Sequence, residues 1–93
     1  MGFYLKSPAS AVDYAVDWSA GYLDGETVAA SGWTVEPEED GGLAVAAEVS
    51  GPERCAATLS GGLRGRVYRV RNRVTFSDGR TDERGLTIRI DDR

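Results

Sequence analysis

From Arg66 to Phe76 polar and apolar residues alternate almost without a break. Tyr68, Val70, Asn72, Val74 and Phe76 fall on one parity, and Val67, Arg69, Arg71, Arg73 and Thr75 on the other. A two-residue period is that of a β-strand with one buried face, and a slip of one residue would turn the whole apolar row to solvent. Ser77-Asp78-Gly79-Arg80 follows, and Asp-Gly tolerates the positive φ angles of a type I′ hairpin turn. The return strand is expected over Asp82 to Ile90, with Leu86, Ile88 and Ile90 inward and Thr87 and Arg89 outward.

The same period recurs upstream, and no segment of useful length shows a helical one. Val12 to Trp18 places Tyr14, Val16 and Trp18 on one face, and Ala20 to Glu26 reads as the loop after it. Thr27 to Val35 changes phase between Val28/Ala30 and Trp33/Val35, and Gly32 between them predicts a β-bulge. Glu36 to Gly42 is a solvated acidic turn. Leu43, Val45, Ala47 and Val49 form a third inward row, and Cys55, Ala57 and Leu59 a fourth. Six or seven short strands in 93 residues predict a sandwich or small barrel with a single core.

Two details favour the sandwich. Trp18 and Trp33 are suited to plug the space between two sheets, and Tyr68, following Gly61, Gly62 and Gly65, stands where a tyrosine corner would. Cys55 is the only cysteine, so no internal disulfide is expected and a reducing compartment is the default. The predicted fold is therefore all-β: an immunoglobulin-like, more narrowly fibronectin III-like, antiparallel β-sandwich of six or seven strands. Residues 1–10 are expected to form an extended N-terminal arm and residues 11–93 the domain.

The chain contains no histidine, which removes the usual general base near neutral pH and the commonest neutral metal ligand. Cys55 lies mid-strand on the apolar parity and reads as a buried, inert thiol. Asp13, Asp17, Asp24 and Glu26 do not follow EF-hand spacing, and alternation points the first two to solvent. Neither catalysis, a cofactor nor a metal is expected. A net charge of −4 argues against nucleic-acid binding through phosphate neutralisation. Residues 1–10 lack an apolar run of the length a signal peptide or membrane span requires, so no membrane association is expected and the chain reads as cytoplasmic when made.

Charge is distributed unevenly: residues 1–50 hold one Lys and nine acids, residues 51–93 ten Arg and six acids. Either acidic and Arg-rich strands neutralise one another across the sheets, or charge-complementary faces meet copies of the chain or other partners. The outward row Arg69, Arg71 and Arg73, spaced by ~7 Å along the strand, carries the same two readings. Asn72 shares the core parity and is expected to hydrogen-bond backbone inside the sandwich. In the first ten residues Phe3, Tyr4 and Leu5 form an apolar patch before Lys6-Ser7-Pro8, which either covers an end of the core or adds a strand to a partner's sheet. Phe3, Tyr4, Leu5, Arg69, Arg71 and Arg73 are thus the candidate partner-binding residues. A carbohydrate- or surface-binding module is the alternative, with Tyr4, Tyr14, Tyr22, Trp18 and Trp33 as its stacking residues.

The strings K-S-P at 6–8, D-Y-A-V-D-W at 13–18, W-T-V at 33–35, L-S-G-G at 59–62, and Y-R-V-R-N-R-V with the later D-G-R-T-D-E-R together resemble small immunoglobulin-like proteins of tailed phages and prophages. These are fiber-tail adaptor or similar virion accessory proteins, and the likeness runs from Lys6 to about Ile90. The resemblance implies a non-catalytic structural module held by protein partners in a tail or head-tail assembly, and a virion component.

Overall fold

The computed structural model describes residues 3–19 and 25–91. They form seven strands: β1 (Phe3–Lys6), β2 (Ala11–Asp17), β3 (Val28–Glu36), β4 (Leu43–Ser50), β5 (Arg54–Gly61), β6 (Val67–Phe76) and β7 (Thr81–Ile90). Two sheets result, of order β1-β7-β6-β3 and β2-β5-β4. Every pairing is antiparallel except β1 with β7, which is parallel. Lettered A to G in chain order, B-E-D faces G-F-C, the pairing order of immunoglobulin sandwiches, while the first strand joins the last instead of the second.

The alternating rows create the core. Tyr14, Val16 and Trp18, Cys55, Ala57 and Leu59, the even residues of β6, and Leu86, Ile88 and Ile90 are all buried between the sheets, with Trp33, Val35 and Leu43 closing one side. Asn72, on the core parity, has no exposed surface, so its amide must be satisfied internally. It is: Oδ1 accepts from Trp18 Nε1–H at 2.9 Å, and Nδ2 donates to Ser31 Oγ at 2.9 Å and to the Gly32 carbonyl at 3.1 Å. The expected backbone bond is present, accompanied by two side-chain bonds. Cys55 is fully buried.

Tyr68 makes the bond expected of a corner tyrosine. Its hydroxyl accepts from the Leu63 N–H at 3.1 Å, five residues upstream, and donates to Glu39 Oε1 at 2.6 Å. Burial foremost, then the Glu39 carboxylate, raises its pKa above the ordinary tyrosine value.

Three local expectations are corrected. The phase change in β3 is real, but its bulge lies between Val28 and Ala30, four residues before Trp33, and Gly32 is regular strand. In β4 a second irregularity between Val45 and Ala47 breaks the expected inward row. Beyond it Val49 pairs with Ala56, on the outer face of β5, and is 70% exposed. The β6–β7 turn is not a two-residue type I′ loop. Gly79 N–H bonds the Phe76 carbonyl at 2.9 Å and Phe76 N–H the Arg80 carbonyl at 2.8 Å, with Gly79 at φ +92°. That is a three-residue loop whose left-handed position falls on glycine.

Residues 1–10 were expected as an arm. Phe3–Lys6 instead form an edge strand of the chain's own four-stranded sheet, with Phe3 opposite Thr87 and Lys6 opposite Ile90. Lys6 points inward and is fully covered. Its Nζ donates to the Ser7 carbonyl at 2.9 Å and to the Gly61 carbonyl at 2.7 Å, tying β1 to β5 across the sandwich. Burial lowers its pKa from the usual lysine value.

Candidate assembly interface

Because β1 runs parallel to β7, its odd residues join the outer face of the four-stranded sheet. Phe3 stands opposite Thr87 and Leu5 opposite Arg89. On the far side of β7, Val67 also pairs with Arg89 and Arg69 with Thr87. Phe3, Leu5 and Val67 are exposed by 66, 43 and 51%, so Leu5 and Val67 flank Arg89 from the two sides and Phe3 lies one outward position along β1 from Leu5. Bare apolar side chains grouped around an arginine next to an open sheet edge are typical of surfaces that dock.

The arginine row continues from that patch towards the hairpin. Arg71 is held between two carboxylates: Nη1 bonds Glu36 Oε1 of β3, and Nε lies 3.7 Å from Glu83 Oε1 of β7. Arg73 lies 3.9 Å from Glu83 Oε2 but remains two-thirds exposed. Arg69 has no ion pair among the described residues. Arg89 reaches Asp91 at 3.4 Å. Cross-strand neutralisation therefore accounts for Arg71, partly for Arg73, and not for Arg69. Four arginines against Glu36, Glu83 and Asp91 leave this face positive, with Arg69 as the surplus charge.

Of the six residues proposed from sequence, Phe3, Leu5, Arg69, Arg71 and Arg73 share this face. Tyr4 does not. It has the parity of Lys6, and its ring meets that of Tyr14 edge-on at a centroid distance of 5.1 Å. Val67 and Arg89 complete the patch and were not among the candidates. Their outward parity was readable; their neighbourhood with Phe3 and Leu5 depends on the parallel β1–β7 pairing, which no local pattern encodes.

The stacking residues of the carbohydrate reading are mostly enclosed. Trp18 has no exposed surface, and Trp33 and Tyr14 are exposed by 8 and 9%. Tyr22 and Asp24 lie outside the described residues. Among the described residues no three His, Cys, Asp or Glu side chains gather as a metal site, and no helix is long and apolar enough to cross a membrane. Cys55 Sγ has the Ser50 hydroxyl at 3.9 Å, inside the core.

An open-edged β-sandwich whose outer sheet face combines bare apolar side chains with uncompensated arginine has the features of a protein-assembly module. The family model of the podophage GP4 fiber-tail adaptor protein gp77 matches residues 6–89, and the chain belongs to that family. No curated protein matches it.

Proposed function

We propose that the chain is a non-catalytic structural adaptor of a phage tail, present in the virion, and that it works through protein–protein contacts made by the outer face of its four-stranded sheet. The family match over residues 6–89 carries the adaptor role. The placement of Phe3, Leu5 and Val67 beside Arg69 and Arg89, with Arg73 further along the same face, supports the choice of face. Apolar side chains supply the area to be desolvated, and the arginines set orientation and favour an acidic partner surface. The free edge of β1 offers backbone groups for strand addition beside them.

Copurification tests the reading. Purified chain should retain tail proteins from disassembled particles, and the retained amount should fall when Leu5→Ser and Arg69→Glu are combined. Undiminished retention by a folded double variant rejects this face.

A further inference from the structure

A second surface lies at the opposite side of the sandwich, where β3 and β4, the edges of the two sheets, come together. A cleft there is lined by Trp33, Thr34, Val35, Leu43 and Val45, with Glu38 at its rim. Trp33 and Val35 belong to the inner row of β3, while Thr34 has the opposite parity, so the cleft opens onto the strand's edge as well as its inner face.

Three observations point to an occupant. The indole Nε1–H of Trp33 is buried and has no hydrogen-bond partner among the described residues, although Trp33 is more than nine-tenths covered. Leaving a buried donor unpaired is unfavourable, and an acceptor brought by a ligand removes that cost. β3 is nine residues long and, among the described residues, pairs only with β6. From Ala29 to Glu36 its other edge makes no backbone hydrogen bond among the described residues. The rim is acidic: Glu36 is taken by Arg71 and Glu39 by Tyr68, but Glu38 is exposed and has no ion pair among the described residues. An unpaired strand edge calls for extended backbone, an apolar floor for alternate side chains, and an acidic rim for a cation.

We propose that this cleft binds an extended segment of another protein chain, which adds a strand to the edge of β3, seats apolar side chains on Val35, Leu43 and Val45, offers an acceptor to Trp33 Nε1–H, and places a Lys or Arg against Glu38. The assignment does not depend on the arginine face or on the adaptor reading.

The test is a titration of the ¹⁵N-labelled chain with an acetylated, amidated heptapeptide of alternating Val and Arg. The chain has two tryptophans and so two indole N–H resonances, which Trp33→Phe assigns. Binding should shift the Trp33 resonance and slow its exchange with water, leaving that of Trp18 in place. Glu38→Lys, an exposed change that leaves the core intact, should weaken binding on the order of tenfold, and a Val/Glu peptide should not bind. An unmoved Trp33 resonance overturns the proposal, as does equal binding by Glu38→Lys. Movement of the same resonance on concentrating the chain without peptide would assign the cleft to a second copy, and movement on adding an oligosaccharide alone to a sugar; either result also overturns it.

Discussion

Trp18 Nε1–H and Asn72 Oδ1 meet at 2.9 Å with neither residue exposed, joining the segment that follows β2 to the centre of β6 in the other sheet. The bond fixes how the two sheets face each other, because Asn72 is held at the same time by Ser31 and the Gly32 carbonyl of β3. Asn72→Leu would take this acceptor from the indole donor inside the core and a donor from the part-buried Gly32 carbonyl. The expected cost is about 1–3 kcal/mol, chiefly from the buried indole donor losing this bond. Trp18→Phe should cost about as much through lost volume. In the double variant the penalties should fall short of their sum by roughly 0.5–3 kcal/mol. Urea denaturation of the four proteins measures this, and strict additivity would refute the coupling.

Tyr68 closes the lower end of the same core. Tyr68→Phe removes the acceptor of the Leu63 N–H and the donor to Glu39 while keeping the ring. A loss of about 1–3 kcal/mol is expected, which for a domain of this size is a fall of at least about 4 °C in the melting temperature. An unchanged melting temperature would show that the corner bond contributes nothing net.

The sequence exposed the two-residue rows of β2, β5, β6 and β7 because each keeps one phase from end to end, and in β2, β6 and β7 most of the buried residues are large or β-branched. It exposed Asn72 for the same reason, as a polar residue on an apolar parity. β4 was harder: alanines dominate it, so its pattern is weak, and the irregularity after Val45 inverts the parity on which Val49 was placed. In β3 a glycine drew attention to position 32, yet a side chain there would meet no atom within 4 Å, and the actual bulge carries no glycine. Lys6 was unreadable as a core residue because lysine is normally solvated; only the fold shows the two carbonyls that receive its amine. The candidate face was half legible. Outward arginines follow from period alone, whereas their contact with Phe3 and Leu5 follows from which strand β1 chose.

Gly62 should tolerate substitution least among the open turns. It sits at φ +106°, and a Cβ there would lie 2.6 Å from both Cδ1 and Cγ1 of Ile90, which is fully buried and has nowhere to move. Gly79 shares the left-handed backbone, at φ +92°, but a Cβ there meets nothing within 4 Å. Gly62→Ala should therefore exceed Gly79→Ala by about 1–3 kcal/mol, the cost of overpacking added to the same backbone strain. Comparable losses in thermal melts would contradict the packing at Ile90.

Lys6 makes stability depend on pH in the alkaline range. Its folded pKa is depressed by burial, so between that value and the unfolded value near 10.5 the unfolded chain binds more protons than the folded one. Stability from this group accordingly rises with pH through that window, and the penalty of burying the ammonium is fully present below it. The neutral amine still has two N–H donors for Ser7 and Gly61. Tyr68, with its pKa raised, acts oppositely above the ordinary tyrosine value, so the comparison must be with a variant that keeps it. Relative to Lys6→Met, the wild-type chain should gain stability from pH 7 towards pH 10. A pH-independent difference would mean that Lys6 stays charged in the fold.

The central claim is that the outer face formed by β1, β7 and β6 holds this chain in the tail. Its most direct test is the amount of chain retained in purified phage particles when the wild-type copy is replaced by a Phe3→Ser, Leu5→Ser, Arg69→Glu variant. All three side chains are exposed or without an ion pair, so the variant should fold and melt like the wild type. The account predicts that it is made in normal amount and is lost from particles by at least about tenfold, equivalent to 1.4 kcal/mol of lost binding. Wild-type occupancy by a folded variant would contradict it.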